Sequence, residues 1–155
     1  IKWPNDIVVD GKKVCGILTE MSMEQGYIHH IVIGVGINVR RQEFSEEIRE
    51  RAAAIDEQCG FCISRSQLIA DIMEAFEEDY EIFLQTHDLK GLRDSYAKLL
   101  LNQDREVCVL DPKGEYRGIA RGINDQGELI VERQDGTVEE VYAGEVSVRG
   151  IYGYV

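Results

Sequence analysis

The sequence predicts an α+β fold, in which a mixed or antiparallel sheet packed by helices is followed by a small β-barrel. Short apolar runs separated by Asp-Gly and Gln-Gly turns come first, and such runs are typical of antiparallel strands. The apolar spacing then changes from two residues to 3.6, which indicates helices. Five short strands with turns between them fill the last third of the chain. These three observations predict the order of the fold.

The first forty residues are predicted to form strands joined by tight turns. Asp10-Gly11 and Gln25-Gly26 are turn dipeptides, because their residues accept the positive φ angles that a hairpin turn requires. The near-continuous apolar run Ile31 to Ile37 predicts a strand covered on both faces. The predicted strands are residues 7–9, 14–18 and 27–39.

The middle of the chain is predicted to be helical. A serine N-cap at Ser45, followed by two glutamates, predicts a short helix that ends near Gly60. Ser64 to Gln67 has the form of a capping box and begins a longer helix. The apolar residues of this helix recur at helical spacing, which predicts a face packed on a sheet. They are Leu68, Ile69, Ile72, Met73, Phe76, Tyr80, Phe83 and Leu84, and a third stripe comprises Leu89, Leu92, Tyr96 and Leu99.

The last part of the chain is predicted to be a separate all-β domain. Turns rich in glycine and aspartate divide it into five strands, at residues 107–110, 116–123, 129–132, 138–142 and 146–148. Closure into a barrel removes exposed strand edges, so five short strands predict a small closed barrel. We therefore expect one domain over residues 1–102 and a second over residues 103–155.

The charge of the chain excludes several classes of partner. Its 155 residues include 17 basic and 29 acidic ones, for a net charge of −12. Binders of nucleic acids or anionic membranes need a basic surface instead. No apolar run reaches the roughly 20 residues of a membrane span. The four cysteines show no disulfide framework and no signal peptide opens the chain, so we expect a cytoplasmic location.

Three motifs carry candidate chemistry. Lys2-Trp3-Pro4-Asn5-Asp6 puts an amide and a carboxylate at a strand end, although a capped turn would also explain it. Lys13 enters a strand near a glycine, where it is either a solubilising surface lysine or a cation that neutralises a phosphate or carboxylate. Gly34-Val35-Gly36 lies inside an apolar strand, which usually marks the close approach of a ligand or of another backbone. Cys59-Gly60-Phe61-Cys62 has no second pair and the histidines lack ligand spacing, so no metal site is predicted.

In their order and spacing these motifs resemble the latter half of the catalytic domain of biotin protein ligases. The matching segments are residues 2–6, 13–20 and 34–39, and residues 121–149 resemble the family's C-terminal Src-homology-3-like barrel. The resemblance implies a partial domain of the class II synthetase type. The Gly-Arg-rich loop that forms the adenylate in this family lies upstream of Lys-Trp-Pro-Asn-Asp and is not in the sequence. Since the sequence also lacks an initiator Met, we expect a fragment that is not fully active alone.

The resemblance implies an activity and a set of site residues. Biotin protein ligases use ATP to attach biotin to a lysine of the biotin carboxyl carrier domain of a carboxylase, through biotinyl-5′-adenylate, with Mg²⁺ held through the phosphates. Two catalytic residues are implied: Lys13 contacts the biotin carboxylate and the adenylate phosphate, and Asp6 accepts the proton of the carrier lysine. The implied biotin pocket comprises Lys13, Gly16, Leu18, Gly34 and Gly36, and the implied nucleotide site comprises Asn5, Asn38, Lys2 and Arg149.

Other functions stay open on the sequence alone. A lipoate or octanoate transferase would share the wider fold. A non-catalytic protein-binding or assembly module would use the acidic surface to select a basic partner. A homodimer through the edge of the strand at residues 27–39 is expected only by analogy. Some members of the family are also repressors, so the full-length protein could carry an N-terminal DNA-binding domain.

Overall fold

The computed structural model describes residues 1–111, 114–143 and 147–150, which form helices and antiparallel strands in the predicted α+β arrangement. The strands are β1 (Asp6–Val9), β2 (Lys12–Glu24), β3 (Tyr27–Ile37), β4 (Glu106–Leu110), β5 (Tyr116–Ile123), β6 (Leu129–Arg133), β7 (Val138–Val141) and β8 (Ser147–Gly150). The helices are α1 (Ile55–Cys59), α2 (Arg65–Thr86) and α3 (Arg93–Leu99). None of these three helices has the length and apolar character needed to cross a membrane.

The contacts within the chain divide it into two compact units. One unit comprises Asn5–Ile63, and the other comprises Ile1–Pro4 together with Ser64–Val155. Residues 64–102 are thereby grouped with the last five strands, whereas the sequence boundary groups them with the first three. The boundary at residue 102 stays a prediction.

The unit Asn5–Ile63 is built on an antiparallel sheet with the order β1-β2-β3. Both predicted turns are confirmed, because Asp10 and Gly11 have φ angles of 47° and 76°, and Gln25 and Gly26 have φ angles of 49° and 82°. Glycine serves these turns because it adopts positive φ without a steric penalty. The two long strands are paired from Cys15 opposite Ile37 to Glu24 opposite Tyr27.

The prediction that β3 is covered on both faces is wrong for the described residues. Every residue of this strand except Ile37 is exposed. Its apolar side chains alternate between the two faces of the sheet, with Ile31 and Ile33 on one side and Val32 on the other. The β-branched run correctly predicts a strand, but burial depends on what packs over it.

The helix predicted between residues 45 and 60 forms only in its last five residues, as α1. Residues 45–52 form turns, in which the Arg49 N–H donates to the Ser45 carbonyl and the Ala52 N–H to the Ile48 carbonyl. The backbone then pairs with β2: the Lys13 N–H donates to the Arg51 carbonyl at 2.7 Å, and the Ala53 N–H donates to the Lys13 carbonyl at 3.0 Å. Backbone groups used in this way are not available to a helix. The predicted end is confirmed, because Gly60 caps α1 in the left-handed conformation with φ of 75°.

The second unit contains a five-stranded antiparallel sheet with the order β7-β6-β5-β4-β8. Alternate residues of its strands are buried, as the pattern of β4 shows. The buried core comprises Trp3, Leu100, Val107, Val109, Ala120, Ile123, Leu129, Val131, Val141 and Val148. Between β7 and β8 no pairing is present in the described part of the chain, so a closed Src-homology-3-like barrel stays a prediction.

Helix α2 begins where the capping box predicts. The Gln67 N–H donates to Ser64 Oγ at 3.4 Å, whereas the Gln67 side chain donates to Asp71 Oδ1 at 2.7 Å instead of returning to the cap. The predicted packing of its apolar face on a sheet is not seen among the described residues, because no residue of α2 is buried. The rings of Phe76 and Tyr80 stack on each other along this face, with centroids 5.6 Å apart.

The third predicted apolar stripe is only partly buried. Leu89 and Tyr96 pack against the core of the five-stranded sheet, while Leu99 is exposed. Burial raises the pKa of Tyr96 to about 12, as expected for a phenol that loses water around its charged form. Helix α3 thus contributes to the second unit through one of its faces.

Candidate functional site

Most of the predicted site residues lie in one unit, on the β1-β2-β3 sheet or at its ends. Lys2 belongs to the other unit, as does Arg149 in β8, whose side chain is outside the described residues. The residues on the three-stranded sheet and its ends are Asn5, Asp6, Lys13, Gly16, Leu18, Gly34, Gly36 and Asn38.

The two predicted catalytic residues form an ion pair. Lys13 Nζ lies 2.5 Å from Asp6 Oδ1. Asp6 is buried, whereas the Lys13 side chain is about one-third exposed, at 37%. A buried carboxylate needs a charged or hydrogen-bonded partner, and the lysine provides one. The partly exposed ammonium can still be reached by a ligand.

A β-bulge places the lysine beside the aspartate. Asp6 lies opposite Gly16 and Ile7 opposite Cys15, but the next residue of β1, Val8, lies opposite Lys13. In a regular strand, side chains three residues apart point to opposite faces of the sheet. The extra residue, Val14, brings the Lys13 side chain to the face that carries Asp6. Bulges are common next to active sites because they re-aim a side chain in this way.

The backbone of Lys13 is fixed from its other side by residues 51–53. The two hydrogen bonds described above make Lys13 and Ala52 a parallel bridge. Ala53 and Ala54 are almost completely buried. Sequence reasoning missed this support, and the only signal for it was the run of three small apolar residues. Lys13 is therefore held between two segments that are distant in the chain.

The thiol next to the ion pair is buried. Burial raises the pKa of Cys15, the charge of Lys13 lowers it, and the charge of Asp6 raises it again. The net direction is upward, so the thiol stays neutral and unreactive at ordinary pH.

The predicted pocket residues face one another across β2 and β3. Gly16 lies opposite Gly36, and Leu18 lies opposite Gly34. Because residues two apart on a strand share a face, all four lie on the face that carries Asp6. The result is a strip with little side-chain bulk that ends at the ion pair.

The two predicted nucleotide-site asparagines hold the ends of this sheet together. Asn5 Nδ2 donates to the Ile17 carbonyl at 2.6 Å. Asn38 Oδ1 accepts from Gln42 Nε2 at 3.2 Å, and its backbone bonds to Val14 and Ile55 at 2.8 Å each. Their positions next to the ion pair and the glycine strip fit the predicted site, whose ligand contacts stay a prediction.

A basic cavity beside the site was missed by the sequence reasoning. Its volume is about 370 Å³, and it contains three basic and two acidic side chains. It adjoins β2 through Lys12. The signal that could have found it is Arg40-Arg41, a basic pair that begins three residues after the end of β3 and of which Arg41 lines the cavity. The lining residues are Lys12, Arg41, Gln42, Glu43, Phe44, Arg49, Ala52 and Glu57.

Protein ligands for a metal ion do not converge in the described ranges of the chain. Residues 1–111, 114–143 and 147–150 contain no group of three or more His, Cys, Asp or Glu side chains placed to hold one. All four cysteines are free thiols. The described part of the chain therefore supplies charged and hydrogen-bonding groups but no metal cage.

Two parts of the chain match known protein families. Residues 1–38 match the biotin/lipoate A/B protein ligase family, and residues 104–149 match the biotin protein ligase C-terminal domain. The bifunctional ligase/repressor BirA of Bacillus spizizenii is 37% identical over 153 residues, which are 96% of this chain and 46% of that protein. The protein of the same name from Escherichia coli is 32% identical over 149 residues, again 96% of this chain and 46% of the relative. The chain thus spans about half the length of these curated relatives.

Solved structures show the same fold. The biotin protein ligase of Aquifex aeolicus in its apo form has a TM-score of 0.80 and 28% identity, over 97% of this chain and 64% of that one. The same enzyme in complex with biotin and ATP has a TM-score of 0.80 over 97% of this chain and 61% of the other. Taken with the matches at both ends of the sequence, these likenesses all indicate a biotin protein ligase.

Proposed function

We propose that this chain takes part in the ATP-dependent attachment of biotin to a lysine of a biotin carboxyl carrier domain, through biotinyl-5′-adenylate. The observation that carries the proposal is the Lys13–Asp6 ion pair at the end of the glycine strip. The family match over residues 1–38 supports it, as does the likeness to a ligase solved with biotin and ATP.

In the first step, a biotin carboxylate oxygen attacks the α-phosphorus of ATP, and pyrophosphate leaves. Negative charge accumulates on the phosphate oxygens in the transition state. An ammonium already in place lowers the energy of that charge without reorganising. Lys13 has the required charge, exposure and fixed backbone, so the proposal gives it this role.

In the second step, the neutral amine of the carrier lysine attacks the carbonyl carbon of the adenylate, and AMP leaves as the amide forms. The attacking nitrogen must lose a proton, which requires a nearby acceptor. The proposal assigns this proton to Asp6, whose carboxylate lies beside Lys13.

The remaining predicted residues fall into two groups. Gly16, Leu18, Gly34 and Gly36 would let the fused rings of biotin lie against the sheet, because three of these four residues have no side chain. The nucleotide would be bound by Asn5, Asn38, Lys2 and Arg149. The chain offers Mg²⁺ no cluster of ligands among its described residues, so the ion would enter with the phosphates of ATP.

Biotin is favoured over lipoate by the C-terminal part of the chain. The match over residues 1–38 names both biotin and lipoate ligases, whereas the match over residues 104–149 names biotin protein ligase alone. Four free cysteines support a reducing location such as the cytoplasm. A homodimer stays an expectation. The repressor activity in the relatives' name is not assigned to this chain, whose net charge of −12 opposes DNA binding.

Calorimetry with biotinyl-adenylate tests the proposal. The chain should bind it, and Lys13→Ala should weaken binding about tenfold or more, because a charge-assisted hydrogen bond is lost. Lys98→Ala is a matched control, since it removes the same side chain from α3 in the other unit, and it should leave the affinity unchanged.

Three results would contradict the proposal. If Lys13→Ala and the unchanged chain bound biotinyl-adenylate with equal affinity, Lys13 would not belong to the site. Tighter binding of lipoyl-adenylate than of biotinyl-adenylate would favour a lipoate ligase. No binding of either adenylate would favour a non-catalytic module.

A further inference from the structure

Gly16 differs from the other two glycines of the strip in what surrounds it. A Cβ atom added to Gly16 would lie 2.8 Å from Lys13 Nζ and 2.9 Å from Lys13 Cε, closer than real side chains approach. It would lie 3.6 Å from Asp6 Oδ1. The end of the lysine side chain therefore occupies the space that any larger residue at position 16 would need.

Gly34 and Gly36 show no such conflict. An added Cβ would meet only a backbone oxygen, at 3.6 Å for Gly34 and 3.7 Å for Gly36, and both are ordinary contact distances. Gly16 is also absent from the glycines with positive φ, so its backbone conformation suits any residue. Neither backbone strain nor backbone crowding explains a glycine at this position.

The conflict at Gly16 cannot be relieved by moving the lysine backbone. Residues 51–53 hold the Lys13 N–H and carbonyl groups by hydrogen bonds, and β1 pairs with it from the opposite side. The flexible part is the side chain, whose far end would have to shift away from position 16, where it now pairs with Asp6. A methyl group at position 16 would thus change the location of one charge and little else.

We propose that Gly16 is a positioning residue for Lys13, because the space left by its missing side chain is what lets the lysine ammonium reach Asp6. The catalytic meaning of this role rests on the proposed function, whereas the placement of the ammonium does not. A larger residue at position 16 would act on the reaction through Lys13, in addition to any contact that position makes with biotin.

The test follows the Lys13 side chain directly. The chain is labelled with lysine carrying ¹³C at the ε-carbon, and the Lys13 signal is assigned with Lys13→Arg. Gly16→Ala should shift this signal in the same sense as Asp6→Asn does. The double variant should add little to either single one, because both break the same ion pair. Gly34→Ala is the matched control on the facing strand, and it should leave the Lys13 signal in place.

Two further measurements separate positioning from structure and from the proposed function. The denaturant midpoint of Gly16→Ala should fall no further than that of Lys13→Ala, since both substitutions take the ammonium away from the buried Asp6 carboxylate and neither changes the backbone. Affinity for biotinyl-adenylate should fall about tenfold. An unmoved Lys13 signal, additive effects of the two substitutions, or a loss of folding in Gly16→Ala would each overturn the inference. If the unchanged chain binds no biotinyl-adenylate, the proposed function fails, yet the Lys13 signal still decides the role of Gly16.

Discussion

The β2-β3 hairpin and the five-stranded sheet are both antiparallel and rich in apolar residues, yet they bury them differently. In the five-stranded sheet every second residue points into a core, so Val107 and Val109 are completely buried. In β3 the apolar residues occupy both faces and all but Ile37 are exposed. An alternating pattern therefore describes a sheet that makes its own core, whereas a continuous pattern describes a strand that depends on other elements to cover it.

The largest effect should come from a substitution of Trp3, which tests whether the first four residues belong to the core of the five-stranded sheet. Trp3 is only 3% exposed, packs in the core of the five-stranded sheet and donates from Nε1 to the Gly127 carbonyl at 3.0 Å. Trp3→Ala should lower the free energy of unfolding by about 3–5 kcal/mol. Urea unfolding followed by circular dichroism measures this. A loss below about 1 kcal/mol would mean that the first four residues do not belong to this core.

A matched pair of isoleucines gives the next largest effect and tests the comparison itself. Ile123 is 5% exposed in the five-stranded sheet, and Ile33 is 56% exposed in β3. Ile123→Ala should cost about 2–5 kcal/mol of unfolding free energy, whereas Ile33→Ala should cost no more than about 0.5 kcal/mol. Both are read from the same denaturation curves. Equal losses would show that β3 is covered in solution.

The smallest effect concerns a surface ion pair and its pH dependence. Hydrogen bonds from Arg121 and Gln103 lower the pKa of Asp104 below its ordinary 3.8. Because the folded pKa is the lower one, the stabilisation is complete above pH 3.8 and disappears as the pH falls through the folded value. Asp104→Asn should therefore lower Tm slightly at neutral pH, and the difference should close in acid. Thermal melts of both chains across this range measure it, and a difference that persists in strong acid would contradict the assignment.

The sequence predicted elements well where the signal is local. The turn at Asp10-Gly11, the cap at Ser64 and the limits of β5 all depend on residues close in the chain, and all are confirmed. The helix expected from Ser45 was wrong because Lys13, more than thirty residues away, uses the backbone of Arg51 and Ala53. The residues near Ser45 in the sequence give no information about a hydrogen-bond partner so far away in the chain.

The same distinction between what the sequence can and cannot predict applies to the candidate site. The resemblance identified Lys13 and Asp6, and the structure brings the two together. It could not show that residues 51–53 hold the lysine, or that the space at Gly16 contains its ammonium. Both depend on the register between strands, which residue types alone do not specify.

Because of the bulge at Val14, Lys13 and Gly16 lie on the same face of the sheet although they are three residues apart in the sequence. Side chains alternate between the two faces of a strand, so one extra residue at a bulge moves the side chains beyond it to the other face. If the strand were regular from Lys13 to Gly16, the lysine and the glycine would lie on opposite faces of the sheet. A search for this site by spacing, or a graft of it onto another hairpin, must therefore include the bulge as well as Lys13 and Gly16.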